Sequence, residues 1–280
     1  MYYIVIMSIG PHINRNFVEK GTILENIKKC LSLIPENVNV ISLFVSMPRA
    51  KKIIVKESDI KELRELSKQY TIIAHSSYVA NPWNGNQESI DFIKHELEVC
   101  IECGIKGLVV HLPASGLENV MKYIGNFKIS TAIKLYLETP AVIESHFDTP
   151  KKINVLFEEI KRIDPNLEYF GICIDTAHLH TNGIVMKTYE NMNLYLTSLI
   201  KYIPIENIMF HLNDSRNELN HGPDKHDALM QGKIWTDTDI KHNGLTCIVE
   251  FIRKYNIPTI LERDENSLII DDYKLLKYMA

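Results

Sequence analysis

Short apolar runs recur at intervals along the chain, and each run is dense in Ile, Val, Leu, Phe or Tyr. Continuous apolar runs of this length are typical of parallel strands that are covered on both faces. The pattern predicts eight strands, at residues 2–7, 39–45, 71–75, 107–112, 132–138, 169–175, 207–212 and 258–262.

Amphipathic segments with helical periodicity separate these runs. The clearest are residues 22–33, 57–69, 87–103, 152–163, 189–202 and 244–255. Eight strands, each followed by a helix or a helix-like stretch, form the plan of a (β/α)₈ barrel, the TIM barrel. The usual length of that fold, about 250 residues, suits this chain of 280 residues. No linker or low-complexity tract interrupts the pattern, so we expect residues 1–280 to form a single α/β domain.

Composition narrows the possible functions without choosing one. The hydrophobic share of 45% and the charged share of 24% are ordinary for a soluble protein. A net charge of −4 gives no sign of bulk binding to nucleic acid or to a membrane surface, so an anionic partner needs a local site. The first apolar run has no basic leader and is too short for a signal peptide or a membrane span. We therefore expect an intracellular protein, which the five cysteines without framework spacing also favour.

Ionisable side chains gather where the predicted strands end. Six successive strands finish in His, Asp or Glu, and three more such residues lie in the segments after strands six and seven. The nine are His75, His111, Glu138, Asp175, His178, His211, Asp224, His226 and Glu262. A lone His or Glu in such a place is more often a hydrogen-bonded core residue or a helix cap, but nine at one end of a barrel are harder to explain in that way. Barrel enzymes place their chemistry at this end.

Four carboxylates and five imidazoles at one rim would repel one another or stay protonated unless a cation balanced them. Divalent metal ions provide that balance, and a mixed set of nitrogen and oxygen ligands suits Zn²⁺ better than Mn²⁺ or Fe²⁺. The connection after strand seven, residues 214–235, is long and rich in Asn, Asp, His and Gly. A loop of this length without clear structure is usually either functional or disordered, and in a barrel it would lie over the active face.

The motifs around these residues resemble those of the endonuclease IV family, in the same order and with the same spacing. They are AHSSY, GLVVHL, LYLETP, ICIDTAH, MFHLND and ILER, together with D-x-H in the long connection. The resemblance covers essentially the whole chain and is closest to the compact members that large DNA viruses encode. It implies a TIM barrel with three Zn²⁺ ions that acts as an apurinic/apyrimidinic endonuclease in base excision DNA repair. The implied reaction is hydrolysis of the phosphodiester 5′ to an abasic site, which leaves a 3′-hydroxyl and a 5′-deoxyribose phosphate.

The resemblance also implies how the ligands are shared among the ions. In turn, the three ions would be held by His75, His111 and Glu138; by Glu138, Asp175, His211 and Glu262; and by His178, Asp224 and His226. Three Zn²⁺ ions against four carboxylates would leave the site positively charged, which would attract a phosphodiester. The bridging position makes Glu138 the predicted catalytic residue.

An abasic nucleotide has to leave the helix to reach such a site, and its missing base lowers the cost of unstacking. Tyr78 and Val79, just beyond His75, are predicted to wedge into the gap in the DNA. Arg49 is predicted to contact the DNA backbone or fill the vacated stack, and Lys225 to contact a phosphate. The alternative is that Tyr78 packs on the barrel and Arg49 is an ordinary exposed charge. Lys225 stands where Arg is common in the family, and Val79 where Leu is typical, which affects DNA contacts rather than the metal site.

A sugar isomerase or epimerase of the xylose-isomerase type is the main alternative on the same barrel. Its metal quartet would be Glu138, Asp175, His211 and Glu262, which both interpretations share. A one- or two-metal isomerase has no joint use for the other five residues, and a barrel-shaped binding protein would not keep so many ligands in order. We therefore predict an endonuclease that acts as a monomer on double-stranded DNA with abasic sites, without a protein or membrane partner.

Three further residues carry weaker signals. Cys100 and Cys103 have metal-like spacing, but they fall in a helical pattern without a second cysteine pair. His180 lies just beyond the matched ligands, and we expect it behind them or at the surface.

Overall fold

The computed structural model describes residues 8–14, 17–35 and 37–279, which contain a closed barrel of parallel strands. In chain order the strands are β1 (Ile9–Ile13), β2 (Val40–Phe44), β3 (Thr71–His75), β4 (Gly107–His111), β5 (Lys134–Glu138), β6 (Phe170–Asp175), β7 (Ile208–His211), β8 (Asp214–Ser215), β9 (His226–Asp227) and β10 (Thr259–Leu261). The barrel follows the order β1-β2-β3-β4-β5-β6-β7-β10 and closes where β10 pairs with β1, whereas β8 and β9 form a separate antiparallel pair. The predicted TIM barrel is confirmed.

Helices follow the strands around the outside of the barrel. In the described part of the chain they are α1 (Ile23–Leu31), α2 (Glu57–Leu66), α3 (Gln87–Cys103), α4 (Leu117–Ile124), α5 (Pro150–Lys161), α6 (Thr176–Thr181), α7 (Tyr189–Leu199), α8 (Gly244–Tyr255) and α9 (Asn266–Tyr278), with short 3₁₀ helices at Gly125–Phe127 and Ile205–Asn207. Several begin behind a side chain that accepts a hydrogen bond from the first turn and so fixes where the helix starts. These caps are Thr22, Asn86, Thr149, Thr188 and Asn243. No helix among these residues is long and apolar enough to cross a membrane.

The first barrel strand is not where the sequence predicts it. Residues 2–7, the predicted strand, lie outside the described residues, and the barrel position is taken by β1 (Ile9–Ile13). Gly10, Pro11 and His12 make this segment a poor strand by composition. Gly10 is nevertheless required, because a Cβ atom there would lie 1.7 Å from the Val40 carbonyl oxygen of the neighbouring strand. The other seven barrel strands lie within two residues of their predicted bounds.

A layer of apolar side chains fills the inside of the barrel. It is formed by Val40, Ile73, Val109, Tyr136, Cys173, Met209 and Ile260, each contributed by a different strand. A much larger apolar cluster, which includes Ile41, Leu108 and Phe157, fills the space between the strands and the surrounding helices. Because side chains alternate along a strand, the residue two positions beyond each member of this layer also points into the barrel. The residues at the carboxyl ends of the strands therefore lie above the apolar layer, at the open end of the barrel.

The long connection after β7 is ordered, in contrast to a structureless loop. Its ends are tied together by the Asp214 carboxylate, whose Oδ1 atom accepts hydrogen bonds from the Ser215 and Ile234 amides at 2.8 and 2.9 Å. Trp235 anchors the end of the connection in the core, where it is fully buried and donates from Nε1 to the Met186 carbonyl oxygen at 3.1 Å. The connection is therefore held in one place above the barrel.

Candidate metal centre

Six of the nine predicted ligands stand at the carboxyl ends of neighbouring barrel strands. They are His75 on β3, His111 on β4, Glu138 on β5, Asp175 on β6, His211 on β7 and Glu262 directly after β10. The register of the sheet sets their relation, because His111 pairs with Glu138 and Asp175 pairs with His211. Parallel pairing therefore brings residues that are far apart in the sequence to one end of the barrel, as predicted.

Glu138 lies at the centre of this cluster. Its Oε2 atom is 2.8 Å from His111 Nε2 and 3.1 Å from His75 Nε2, and its Oε1 atom is 2.7 Å from His211 Nδ1. Burial would raise the pKa of the Glu138 carboxyl, but the imidazoles of His111 and His211 hold that pKa well below its ordinary value. A buried carboxylate that faces three imidazoles with both oxygens is suited to bridge two metal positions.

Two overlapping groups of ligand atoms share Glu138 and His211. In each group, one atom per residue lies within 4.8 Å of all the others: His75, Glu138 and His211 form one, and Glu138, Asp175, His211 and Glu262 form the other. His211 Nδ1 is 3.2 Å from Glu262 Oε2 and 3.7 Å from Asp175 Oδ2. The second group contains the four residues expected around one ion. His111 lies beside the first group, since its Nε2 atom is 2.8 Å from Glu138 Oε2. Its side chain is 41% exposed at the mouth of the site.

The remaining three predicted ligands form a further group beside the first two. His178 Nε2 is 3.2 Å from Asp224 Oδ2, and His226 Nε2 is 2.9 Å from Asp224 Oδ1. Asp175 also takes part, since its Oδ2 atom lies 3.7 Å from His226 Nε2 and 4.0 Å from His178 Nε2. His178 lies on the short helix α6, which the Asp175 side chain caps by accepting hydrogen bonds from the Ala177 and His178 amides.

Hydrogen bonds orient the side chains toward the site. His75 Nδ1 donates to the Ser76 carbonyl oxygen and His178 Nδ1 to the Thr139 carbonyl oxygen, both at 2.7 Å. Each bond fixes the tautomer that leaves Nε2 free for a metal ion. Asp175 Oδ1 accepts from the Ala177 amide at 2.7 Å, so Asp175 Oδ2 is the oxygen that faces the ligand cluster.

Behind the ligands, Asn213 links two of the carboxylates to a buried ion pair. Its Nδ2 atom donates to Asp175 Oδ2 at 2.7 Å and to Glu262 Oε2 at 3.2 Å, while its Oδ1 atom accepts from Arg263 Nη1 at 2.7 Å. Arg263 Nε lies 2.6 Å from Asp272 Oδ2 on α9, and both side chains are almost fully buried. The Asn213 amide thus fixes both carboxylates, and Arg263 in turn fixes Asn213. The predicted motifs contained Asn213 and Arg263, but only the structure shows what they contact.

The electrostatics of the cluster fit divalent cations. Burial would lower the pKa of His178, yet Asp175 and Asp224 raise it well above its ordinary value. Without another cation, the carboxylates therefore have to be balanced by protonated imidazoles. Among the described residues, His178 Nε2 and His226 Nε2 are buried without a hydrogen-bond partner, although each lies close to Asp224. Nitrogen and oxygen atoms that lie side by side without hydrogen-bond geometry are typical of ligands that face a common metal ion.

The structure adds one imidazole that the sequence analysis missed. His12 on β1 is 3% exposed, its Nδ1 atom lies 3.1 Å from Ser42 Oγ and 4.0 Å from Glu262 Oε1, and its Nε2 atom is buried without a partner. Burial lowers the pKa of His12 to about 4, so this ring is neutral near pH 7. His12 was missed because the first strand was predicted at residues 2–7. In the structure the strand is Ile9–Ile13, which places His12 near its carboxyl end.

Comparison with known proteins identifies the family. A family model described as a xylose isomerase-like TIM barrel matches residues 37–242. The probable AP endonuclease of African swine fever virus (isolate Pig/Kenya/KEN-50/1950) is 36% identical over 237 residues, which cover 80% of this chain and 79% of that protein. The chain belongs to AP endonuclease family 2, the endonuclease IV family.

Further similarities agree with membership of the endonuclease IV family. The probable endonuclease 4 of Thermosipho africanus (strain TCF52B) is 31% identical over 241 residues, covering 80% of this chain and 83% of that protein. The crystal structure of AsfvAP:AG superposes with a TM-score of 0.88 at 30% identity, over 97% of this chain and 98% of that chain. The predicted resemblance to this family is thus confirmed.

The residues predicted to touch DNA lie at the rim around the ligand cluster. Tyr78 and Val79 are 52% and 46% exposed, and the Tyr78 ring lies 5.2 and 5.6 Å from the imidazole centroids of His75 and His111. Arg49 and Lys225 are also exposed. Tyr78 thus both packs against His75 and His111 and presents a face to solvent.

Two weaker predictions have clear outcomes. Cys100 and Cys103 lie on α3 as buried free thiols, and burial raises the pKa of Cys103 to about 11, so these residues serve the core. His180 is 5% exposed, and its Nε2 atom is 3.1 Å from the Asn217 carbonyl oxygen of the long connection. His180 therefore helps to hold the long connection in place through this hydrogen bond.

Proposed function

We propose that this endonuclease IV homologue hydrolyses the phosphodiester 5′ to an abasic site in double-stranded DNA, giving a 3′-hydroxyl and a 5′-deoxyribose phosphate. One observation carries the proposal: nine His, Asp and Glu side chains meet at the open end of the barrel in three neighbouring groups rather than one. The similarity to probable AP endonucleases over most of the chain supports the same activity.

The proposal includes three Zn²⁺ ions per chain. Their ligands would be His75, His111 and Glu138; Glu138, Asp175, His211 and Glu262; and His178, Asp224 and His226. When bound, such ions supply a water that ionises near neutral pH and positive charge for the oxygens of a phosphate. The donor set supports Zn²⁺, because imidazole nitrogens and carboxylate oxygens are both among its usual ligands.

The protein's own part in the reaction is to hold these ligands in place before the substrate arrives. Glu138, fully buried and in contact with imidazoles through both oxygens, would be shared between two ions and is the residue we propose as catalytic. Asn213 holds one oxygen of Asp175 and one of Glu262, so neither carboxylate needs to reorganise during the reaction. Preorganised polar groups of this kind account for much of the rate enhancement of many enzymes.

The exposed rim residues would bind the damaged DNA. Tyr78 and Val79 project beside the ligand cluster and would occupy the gap left by the missing base, which favours extrusion of the abasic nucleotide. Arg49 would contact the backbone or fill the stack, and Lys225, which lies between two ligands of the third group, would contact a phosphate.

A sugar isomerase or epimerase is the second candidate, since the quartet around Glu138 would serve it and the matching family model is described as xylose isomerase-like. The group formed by His178, Asp224 and His226 argues against it. A one- or two-metal isomerase has no use for this additional set, whereas a trinuclear nuclease needs all of it.

The direct test is cleavage of a duplex that carries one synthetic abasic analogue, with metal content measured by elemental analysis. We expect about three zinc ions per chain and incision 5′ to the lesion. Glu138→Gln should lose at least about 1,000-fold in kcat/KM, because the shared carboxylate is removed. Glu98→Gln, whose exposed carboxylate pairs with His95 on α3, is the matched control and should behave like the wild type. An intact duplex under metal-replete conditions, or a single bound ion with activity on a sugar, would overturn the proposal.

A further inference from the structure

One buried carboxylate has no part in the ligand cluster. Glu96 lies on α3 and is fully buried, on the face that otherwise carries apolar residues such as Ile93, Leu97 and Cys100. An apolar residue there would extend the core, whereas an acidic one has to be compensated by hydrogen bonds. What Glu96 contacts therefore indicates why an acid is present.

The donors to Glu96 come from the bases of two rim loops. We define the first rim loop as residues 45–56, between β2 and α2, and the second as residues 76–86, between β3 and α3. The Ser46 hydroxyl donates to Glu96 Oε1 and the Ser76 hydroxyl to Glu96 Oε2, both at 2.5 Å, and the Ser77 amide donates to Oε1 at 3.3 Å. Burial still raises the pKa of the Glu96 carboxyl, although all three donors lower it. A single side chain thus joins both loops to α3.

The two rim loops are also bonded directly to each other. The Tyr78 amide donates to the Pro48 carbonyl oxygen at 2.8 Å, and the Ser77 hydroxyl donates to the Pro48 and Ala50 carbonyl oxygens at 3.1 and 3.2 Å. Within the first loop, the Met47 amide donates to the Lys52 carbonyl oxygen at 2.8 Å. The loops therefore form one hydrogen-bonded unit that rests on Glu96.

This unit presents three of the four residues that we propose to contact DNA. Arg49 is exposed on the first rim loop, and Tyr78 and Val79 are exposed on the second. At the surface the unit is tied to the same helix again, because Lys51 Nζ lies 2.9 Å from Glu88 Oε2 on α3. That pair is exposed to solvent on the Glu88 side and contributes little, so the buried contact with Glu96 is the main link to the helix.

We propose that Glu96 is a positioning residue that holds both rim loops in the single arrangement in which Arg49, Tyr78 and Val79 meet a damaged DNA strand together. The inference rests on the proposed function for its substrate. Its physical basis is preorganisation: a loop fixed before binding does not lose conformational freedom when the DNA arrives. Loss of the Glu96 carboxylate should therefore weaken substrate binding more than it affects the metal chemistry, since its hydrogen bonds come from Ser46, Ser76 and Ser77 and not from a proposed ligand side chain.

The test compares Glu96→Leu, which removes all three acceptor contacts, with Glu96→Gln, which keeps the shape and one acceptor oxygen. For Glu96→Leu we expect about a tenfold rise in KM for the abasic duplex, the equivalent of ordering a few rim side chains on binding, with kcat changed less than about twofold. The KM of Glu96→Gln should lie between those of the wild type and Glu96→Leu, and the metal content of both variants should stay at the wild-type value. Glu98→Gln, on the exposed face of the same helix, is the control.

Amide hydrogen exchange separates positioning from a general role in the core. We expect faster exchange confined to residues 46–54 and 76–80 in both Glu96 variants. If Glu96→Leu fails to fold, the same measurements apply to Glu96→Gln and Ser46→Ala. Both substitutions weaken the hydrogen bond between Ser46 and Glu96, so the KM of the double variant should rise by less than the two single effects combined. Uniformly faster exchange, or an unchanged KM in an active enzyme, would overturn this inference alone. A wild-type protein that leaves the abasic duplex intact would instead overturn the proposed function.

Discussion

The two halves of the candidate metal centre are held in different ways. The strand half, defined as His75, His111, Glu138, Asp175, His211 and Glu262, stands on or directly beside paired barrel strands. The loop half, defined as His178, Asp224 and His226, stands on a six-residue helix and on the long connection. Exposure to solvent does not separate the halves, because His111 in the strand half is 41% exposed and His178 in the loop half is 2% exposed.

The difference shows that the loop half depends on supports that the strand half does not need. The connection is closed at its base by Asp214, and the Leu229 amide donates to Asp272 Oδ1 on α9 at 2.8 Å. Asp272 also pairs with Arg263, which contacts Asn213 and thereby the strand half. The two halves are therefore positioned through one buried network, although only the loop half relies on single side chains to keep its backbone in place.

The largest expected effect comes from breaking the loop half alone. In Asp224→Ala, His178 and His226 lose the carboxylate that lies between them. We expect metal content to fall from about three ions to about two and kcat/KM to fall at least about 100-fold, since an ion that neutralises the phosphate is missing. Elemental analysis and abasic-duplex cleavage provide the measurement.

The control for this variant lies in the same connection. Glu218→Ala removes a carboxylate that is 70% exposed and paired with Lys233, so metal content and activity should both be retained. If Asp224→Ala lost all three ions, the two halves would not be separable, and the comparison between them would be wrong.

The strand half was predictable because sheet register is a strong constraint. Parallel strands covered on both faces are continuous apolar runs, and the residue that ends each run has to lie at the open end of the barrel. This is why the gathering of His111, Glu138, Asp175 and His211 at one end follows from the sequence pattern, whereas the pairing of His111 with Glu138 and of Asp175 with His211 comes from the structure. His12 is the exception, because the Gly10-Pro11 pair before it conceals the strand that carries it.

The supports were not predictable, because they depend on tertiary contacts between distant segments. Nothing in the local sequence connects Asn213 with Arg263, or Glu96 with Ser46, until the barrel has closed. The long connection was expected from its composition, but its antiparallel pair β8–β9 and the closure by Asp214 were not. The shared role of Asp224 and His226 came from the family resemblance rather than from residue spacing alone.

A smaller effect is expected at the base of the connection, and it depends on pH. Burial raises the pKa of Asp214 to about 6, although the amides of Ile234, Ser215 and Gly232 lower it, and its Oδ2 atom has no hydrogen-bond partner among the described residues. A carboxyl whose pKa is higher in the folded than in the unfolded state binds its proton more tightly when folded. Its contribution to stability is therefore fully present below the unfolded pKa of about 3.9 and is lost as the pH rises through about 6.

Asp214→Asn removes this titration and keeps an oxygen that can accept from Ser215 and Ile234. We expect the free energy of unfolding of the metal-free wild type, relative to that of the variant, to fall by roughly 2–3 kcal/mol between pH 4 and pH 7. Denaturant unfolding at several pH values measures the difference, in which the other titrating groups cancel. A difference that does not change with pH would show that folding does not raise the pKa of Asp214.

The smallest expected effect tests whether the loop half binds DNA through a side chain as well as through its ligands. Lys225 is exposed between Asp224 and His226, and its backbone is fixed separately by the Arg216 amide, which donates to the Lys225 carbonyl oxygen at 3.0 Å. Lys225→Ala should therefore leave metal content unchanged and raise KM by a few-fold, as the loss of one phosphate contact does. The slope of log KM against log salt should become shallower by about 0.9, so the difference from the wild type is greatest at low salt. Lys233→Ala, whose ammonium pairs with Glu218 in the same connection, should keep the wild-type slope, and an unchanged slope in Lys225→Ala would mean that the loop half contacts the phosphate only through its metal site.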